Sequence, residues 1–255
     1  MCHELESSPP IPQIAGAAVT HEDIVLETDD SYRLAAFAAT PDGPSSVGVV
    51  ILPDVRGLYR FYEELALRFA ERGYAAVAID YFCRTAGVGK RDEDFPFMDH
   101  VAQTTTEGVQ RDVAAAVAYL RSPAGGSRSS IFTVGFCFGG RNSWFASAAG
   151  HDLAGAIGFY GMPGVRNDQP GPTAVAAQMR APILALQAGA DANITAEHNE
   201  EFDAALTAAG VEHEIVTEEG APHSFFDRLH EEYQEQSEDA WRRTLAFIDA
   251  HSSHN

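Results

Sequence analysis

The chain is short of the residues that several kinds of chemistry require. Lys90 is its only lysine, which removes most mechanisms built on a lysine Schiff base or a phosphate-gripping ammonium. In Gly89-Lys90-Arg91 the preceding glycine and the following Ser/Thr of a P-loop are also missing. No Lys/Arg run long enough for a basic patch appears, and the formal net charge is −20, so a nucleic-acid backbone or an anionic membrane surface is expected to be repelled. The three cysteines, Cys2, Cys83 and Cys137, form no spaced metal pair and leave an odd thiol. That usage suits a reducing compartment better than a disulfide framework. The histidines show no HExxH or related metal spacing, and Cys2-His3 reads as an unpartnered terminus. No apolar run reaches membrane-spanning length, and residues 1–13 carry no apolar signal core. The expectation is a soluble, cytoplasmic protein that meets neither nucleic acid nor membrane.

What is present is apolar sequence in alternating short runs. At 45% apolar content over 255 residues, one large core is expected: a leader over residues 1–20, then a single domain over 21–255. Two strand-like stretches, 23–27 and 32–38, flank the turn formers Asp29-Asp30-Ser31 and predict an antiparallel hairpin. From residue 47 the pattern alternates. Strands are expected at 47–52, 75–79, 130–134, 154–159, 183–187 and 212–216. Helices are expected at 62–71, 107–120, 138–149, 196–209 and 237–250. Such alternation predicts an α/β fold with a mostly parallel central sheet and helices on both faces, a three-layer α/β/α sandwich. Segments 84–106 and 161–177 are longer and irregular, and are expected to form lids or pocket walls.

The run Gly135-Phe136-Cys137-Phe138-Gly139-Gly140 follows the apolar strand that ends at Val134. It spells a nucleophile elbow with cysteine in the serine place: the strand-to-helix turn is too tight for side chains two positions before and after the nucleophile. The Phe138 amide opens the next helix and would face a developing oxyanion. Ligands of open parallel sheets sit beyond the carboxyl ends of the strands, and four polar residues fall there: Asp54, Cys137, Asp191 and His223. From Cys137 the order is nucleophile, acid, histidine, as in α/β-hydrolases. A free thiol is mostly protonated near neutrality, so a base is needed. His223 in Gly220-Ala221-Pro222-His223-Ser224-Phe225 is the candidate, with Asp191 fixing its tautomer. Asp54 would influence the protonation of Cys137, and the Val55 amide would be the second oxyanion donor.

These stretches, with Arg72-Gly73-Tyr74-Ala75-Ala76-Val77, Asp80-Tyr81, Phe159-Tyr160-Gly161 and Gly189-Ala190-Asp191, resemble the dienelactone hydrolase (carboxymethylenebutenolidase) family over residues 23–247. The resemblance implies an α/β-hydrolase fold and a Cys137-His223-Asp191 triad. It further implies hydrolysis of a small activated ester or lactone through an acyl-enzyme, without metal or organic cofactor, in a monomer or small homo-oligomer. In the family a carboxylate in the loop after the first parallel strand takes up the thiol proton; Asp54 stands there, one methylene shorter than the family's glutamate. The family also binds a substrate carboxylate through arginines, one of them three positions beyond the loop serine. That place is Asp227 here, and it is expected to repel a carboxylate, leaving Arg228, Arg84 or Arg91 to serve, or a neutral ester as substrate. The candidate substrate-binding residues are Arg84, Tyr160, Ser224 and Arg228. The competing readings are a broad carboxylesterase and a non-catalytic protein using Cys137 as an oxidisable thiol.

Overall fold

The computed structural model describes residues 7–92 and 94–253; the Cys2-His3 pair lies outside them. Two antiparallel strands open the chain, β1 (Val19–Glu27) and β2 (Arg33–Pro41), paired from Val19 opposite Pro41 to Glu27 opposite Arg33. The hairpin is longer than the alternation of side chains predicts. Its turn passes through Ser31 at φ 66°.

Six further strands complete the sheet: β3 (Val47–Leu52), β4 (Ala75–Ile79), β5 (Ser130–Phe136), β6 (Gly155–Phe159), β7 (Ile183–Ala188) and β8 (His213–Glu218). All eight join in the order β1-β2-β4-β3-β5-β6-β7-β8. β2 runs antiparallel to β4, and every pairing from β4 through to β8 is parallel. The order reverses at β3, so the loops after β3 and β5 lie side by side at the carboxyl rim, where crevices form in such sheets.

Strands β3 to β7 are apolar along their length because both faces are covered. Val49 and Ile51 face one core with helices α1 (Arg60–Glu71) and α7 (Gln234–His251). Val50 and Leu52 face the other, under α4 (Thr106–Arg121). The same face continues through Trp144 of α5 (Phe138–Ala148) and Phe202 and Leu206 of α6 (Ala196–Ala209). Each large side chain sealed in this way stabilises the fold by roughly 1.5–3 kcal/mol, which gives the rim loops a stiff base. Residues 84–106 form two short helices, α2 (Cys83–Ala86) and α3 (Phe97–Val101), and a seven-residue 3-10 helix spans Pro172–Gln178. The leader is not wholly detached: Ile11 is buried in the core shared with α1 and α7.

Candidate active site

The elbow is held by backbone crowding. A Cβ on Gly135 would lie 2.0 Å from the Gly139 carbonyl oxygen, and one on Gly139 would lie 2.0 Å from that of Leu52 and 2.4 Å from that of Pro53. β5, α5 and the loop after β3 can meet this closely only with glycine at both places. Between them Cys137 adopts φ 54°, ψ −109°, a conformation that costs a non-glycine residue on the order of 1–3 kcal/mol. Hydrogen bonds fix it on both sides. The Cys137 amide donates to the Phe159 carbonyl at 2.9 Å, and the Arg141 amide donates to the Cys137 carbonyl at 3.2 Å.

The loops after β7 and β8 are tied together by the Gly189 amide on the Glu218 carbonyl (2.9 Å) and the Ala190 amide on the Ala221 carbonyl (2.8 Å). This brings Asp191 against His223, with Asp191 Oδ2 2.5 Å from His223 Nδ1. Asp191 Oδ1 accepts from the amides of Asn193 (2.8 Å) and Ile194 (3.2 Å). Burial pushes the Asp191 carboxyl up, but the His223 hydrogen bond and these amides outweigh it and hold the group below the ordinary carboxylate range. Two aromatic side chains just beyond Ser224 anchor the histidine loop. Phe225 and Phe226 are fully buried, and Phe226 packs against Phe159 at 4.8 Å and Phe136 at 5.8 Å between ring centres.

Cys137, His223, Ser224 and Arg228 line one cavity of about 430 Å³. Its remaining wall comes from Met162 and Arg166 after β6 and from Asn193 and Ile194 after β7. A larger cavity of about 550 Å³ lies between residues 9–12 and the start of α7; His230, Glu231 and Glu238 line it, but no cysteine does.

Other expected site residues sit elsewhere. Arg84 does not reach the cavity: its guanidinium is held by Asp112 (Nε to Oδ1, 2.9 Å) and Asp30 (Nη1 to Oδ2, 2.6 Å). Arg91 is likewise sealed against Asp80 at 2.7 Å. Segment 84–106 contributes no residue to this cavity, whereas 161–177 supplies Met162 and Arg166. Tyr160 is fully buried at φ 36°, its ring centre 4.9 Å from that of His223 and its hydroxyl donating to Asp227 Oδ2 at 2.8 Å. It therefore backs the histidine and does not line the cavity. Asp227 is itself fully buried, and its other oxygen accepts from the Arg228 amide. The Asp227 carboxylate is thus turned into the fold and does not line the cavity.

Asp54 is fully buried and is not a lining residue. Its Oδ1 accepts from the Arg56 amide at 2.8 Å, closing a turn around Val55, while its own amide donates to the Tyr62 hydroxyl at 2.9 Å. Tyr81 steadies the same loop through the Pro53 carbonyl at 2.7 Å. The amides of Val55 and Phe138 have no acceptor among the described residues. Met162, Arg166, Asn193 and Ile194 carry no signal of their own in the sequence; only the irregular Gly/Pro-bearing stretch 161–177 points to a wall there. Among the described residues no cluster of three metal-ligating side chains occurs, and no helix is long and apolar enough to cross a membrane.

The sequence profile of the dienelactone hydrolase family matches residues 34–252. A Yersinia pestis protein described as "Putative carboxymethylenebutenolidase" is 30% identical over 230 residues, covering 86% of this chain and 84% of the relative. An Escherichia coli K12 protein of the same description is 30% identical over 256 residues, covering 92% and 93%. Among solved structures, a "Putative Dienelactone Hydrolase" from Klebsiella pneumoniae superposes with a TM-score of 0.79 at 25% identity, covering 91% of this chain and 99% of that one.

Proposed function

The chain belongs to the dienelactone hydrolase family of α/β-hydrolases, and from that premise we propose that it hydrolyses activated esters or lactones through a Cys137-His223-Asp191 triad and a thioester intermediate. The observation that carries this reading is the 2.5 Å contact of Asp191 Oδ2 with His223 Nδ1, in a histidine that lines the same cavity as Cys137. With Nδ1–H given to the carboxylate, Nε2 is left to accept the thiol proton.

The thiolate attacks the acyl carbon, and the carbonyl electrons move to an oxyanion that the Val55 and Phe138 amides receive. As the tetrahedral adduct collapses, the bond to the leaving oxygen breaks and imidazolium returns the proton to that oxygen. A lactone opens at this step, its enol remaining part of the acyl-enzyme. Water then gives a proton to His223 and attacks the thioester. Collapse of the second adduct breaks the carbon–sulfur bond and regenerates the thiol and a carboxylic acid. A thiolate leaves about as readily as an enolate, so activated esters are favoured over amides. Asp54, closed onto the Arg56 amide, shapes the turn that presents Val55. Arg166 and Arg228, both exposed and both at the cavity, are the groups suited to a carboxylate on the substrate, the roles expected of Arg84 and Arg91 being taken up by ion pairs.

The test is steady-state turnover of cis- and trans-dienelactone beside p-nitrophenyl acetate, with wild type and Cys137→Ala. The expected result is a preference for the dienelactones and a loss of at least about 10³-fold in kcat/KM on removing the sulfur. Full activity in Cys137→Ala refutes the nucleophile. No turnover of any ester by freshly reduced protein refutes the hydrolytic triad.

A further inference from the structure

Arg141 lies one turn into α5 and is buried, yet it pairs with no carboxylate among the described residues. Its guanidinium instead donates to four backbone carbonyls of the loop after β6. Nη1 reaches Met162 at 2.9 Å and Gly164 at 2.6 Å; Nη2 reaches Pro170 at 2.6 Å and Gln169 at 3.4 Å. A planar fork with five donors is the one side chain able to gather so many acceptors. Burial, with Arg166 nearby, pulls its pKa down to about 10, which still leaves it charged near neutrality.

The loop so gathered is a small hairpin. Arg166 and Gln169 exchange backbone hydrogen bonds at 3.0 Å in both directions, across Asn167 and Asp168 at φ 49° and 58°. Two consecutive left-handed residues make the tight turn that asparagine and aspartate tolerate best. At its base Gly171 passes so close that a Cβ would lie 2.0 Å from the Pro163 carbonyl oxygen, and Thr173 returns its amide to that carbonyl at 3.1 Å. Met162 and Arg166 of this hairpin form one wall of the Cys137 cavity. Arg141 is thus rooted in the helix that the nucleophile begins and grips the wall opposite it.

We propose that Arg141 is a positioning residue for substrate recognition: it locks the 162–170 hairpin to the elbow helix so that Arg166 stands at a fixed place in the cavity. The substrate-binding part of this inference rests on the function proposed above; the locking itself does not. Without the clamp, inward-turned carbonyls lose their donor, and the Arg166–Gln169 and Thr173–Pro163 hydrogen bonds that remain tie the loop only to itself. Reactive-centre geometry is set elsewhere, by the glycines and by the Asp191–His223 contact.

The experiment compares wild type, Arg141→Met, Arg141→Lys, Arg166→Ala and the Arg141→Met/Arg166→Ala double variant. KM and kcat are read on a carboxylate-bearing aryl ester and on p-nitrophenyl acetate, and amide hydrogen exchange is read over residues 162–173. Expected for Arg141→Met is a KM on the anionic ester raised about tenfold, kcat within about twofold, and both constants for the neutral ester within about twofold. Lysine, with three donors, should recover part of the loss. Because Arg141 acts through Arg166, the double variant should be no worse than Arg166→Ala alone. Exchange at Arg166, Gln169 and Thr173 should quicken at least about tenfold while β5 keeps its protection. Additive losses, an equal fall on both esters, or unchanged exchange each overturn the proposal. Should no ester be turned over by any variant, the hydrolytic reading fails, and the exchange arm still decides whether Arg141 holds the loop.

Discussion

Cys83 and Cys137 both lie just beyond parallel strands at the carboxyl rim, and both are buried, yet their surroundings oppose each other at every level. Cys83 opens α2 in ordinary helical backbone, accepts the Ala35 amide at 3.2 Å and lies 3.8 Å from Asp80 Oδ2. Burial and then the Asp80 charge push its thiol up to about 11. Cys137 occupies a backbone conformation that favours glycine, at the tip of a glycine-framed turn, with its residue at the wall of a cavity shared with a histidine. Burial is common to the two thiols; what differs is the backbone that carries each sulfur and what surrounds it, Asp80 at Cys83 and a cavity shared with His223 at Cys137.

Alkylation is the most sensitive way to break that contrast. At pH 8 a thiol of pKa about 11 is ionised in roughly one molecule per thousand. Iodoacetamide treatment with peptide mapping should show Cys137 modified at least about 100-fold faster than Cys83, with ester hydrolysis lost in step with Cys137 labelling. Raising the pH should then speed the labelling of Cys83, whose thiolate fraction grows about tenfold per pH unit until its pKa is reached. Equal labelling of the two sites at pH 8 would mean that the cavity does not expose the Cys137 sulfur.

The same contrast shows what is legible in sequence and what is not. The elbow is readable because its demand is steric and local: two glycines at fixed spacing after an apolar run. The order Cys137, Asp191, His223 is readable because each ends a strand, and parallel sheets collect their strand ends at one rim. Arginine roles are not readable. Arg84 and Arg91 look as available as Arg166 and Arg228 until the fold seats the first two on Asp30, Asp112 and Asp80, partners distant in sequence. Asp227 misleads for the same reason, since only the fold turns its carboxylate under Tyr160. Arg141 gives no signal at all: its partners are carbonyls, which every residue carries, and their inward orientation is a property of the folded loop.

The smallest effect, and the one that isolates backbone from chemistry, is the order of stability of the alanine and glycine variants at each cysteine. At Cys137 the φ of 54° with ψ of −109° falls outside the region where a Cβ is comfortable, so glycine relaxes strain that alanine keeps. Cys137→Gly should unfold at a higher urea midpoint than Cys137→Ala, by about 1 kcal/mol once the added freedom of glycine in the unfolded chain offsets part of the relief. At Cys83 the backbone is helical, no strain is stored, and the order inverts: Cys83→Ala should be the more stable of its pair by about 0.5–1 kcal/mol. Finding the same order at both positions would mean that the elbow relaxes when the sulfur is removed. The turn would then be held by the nucleophile's own contacts and not by the crowding of Gly135 and Gly139 against the neighbouring backbone.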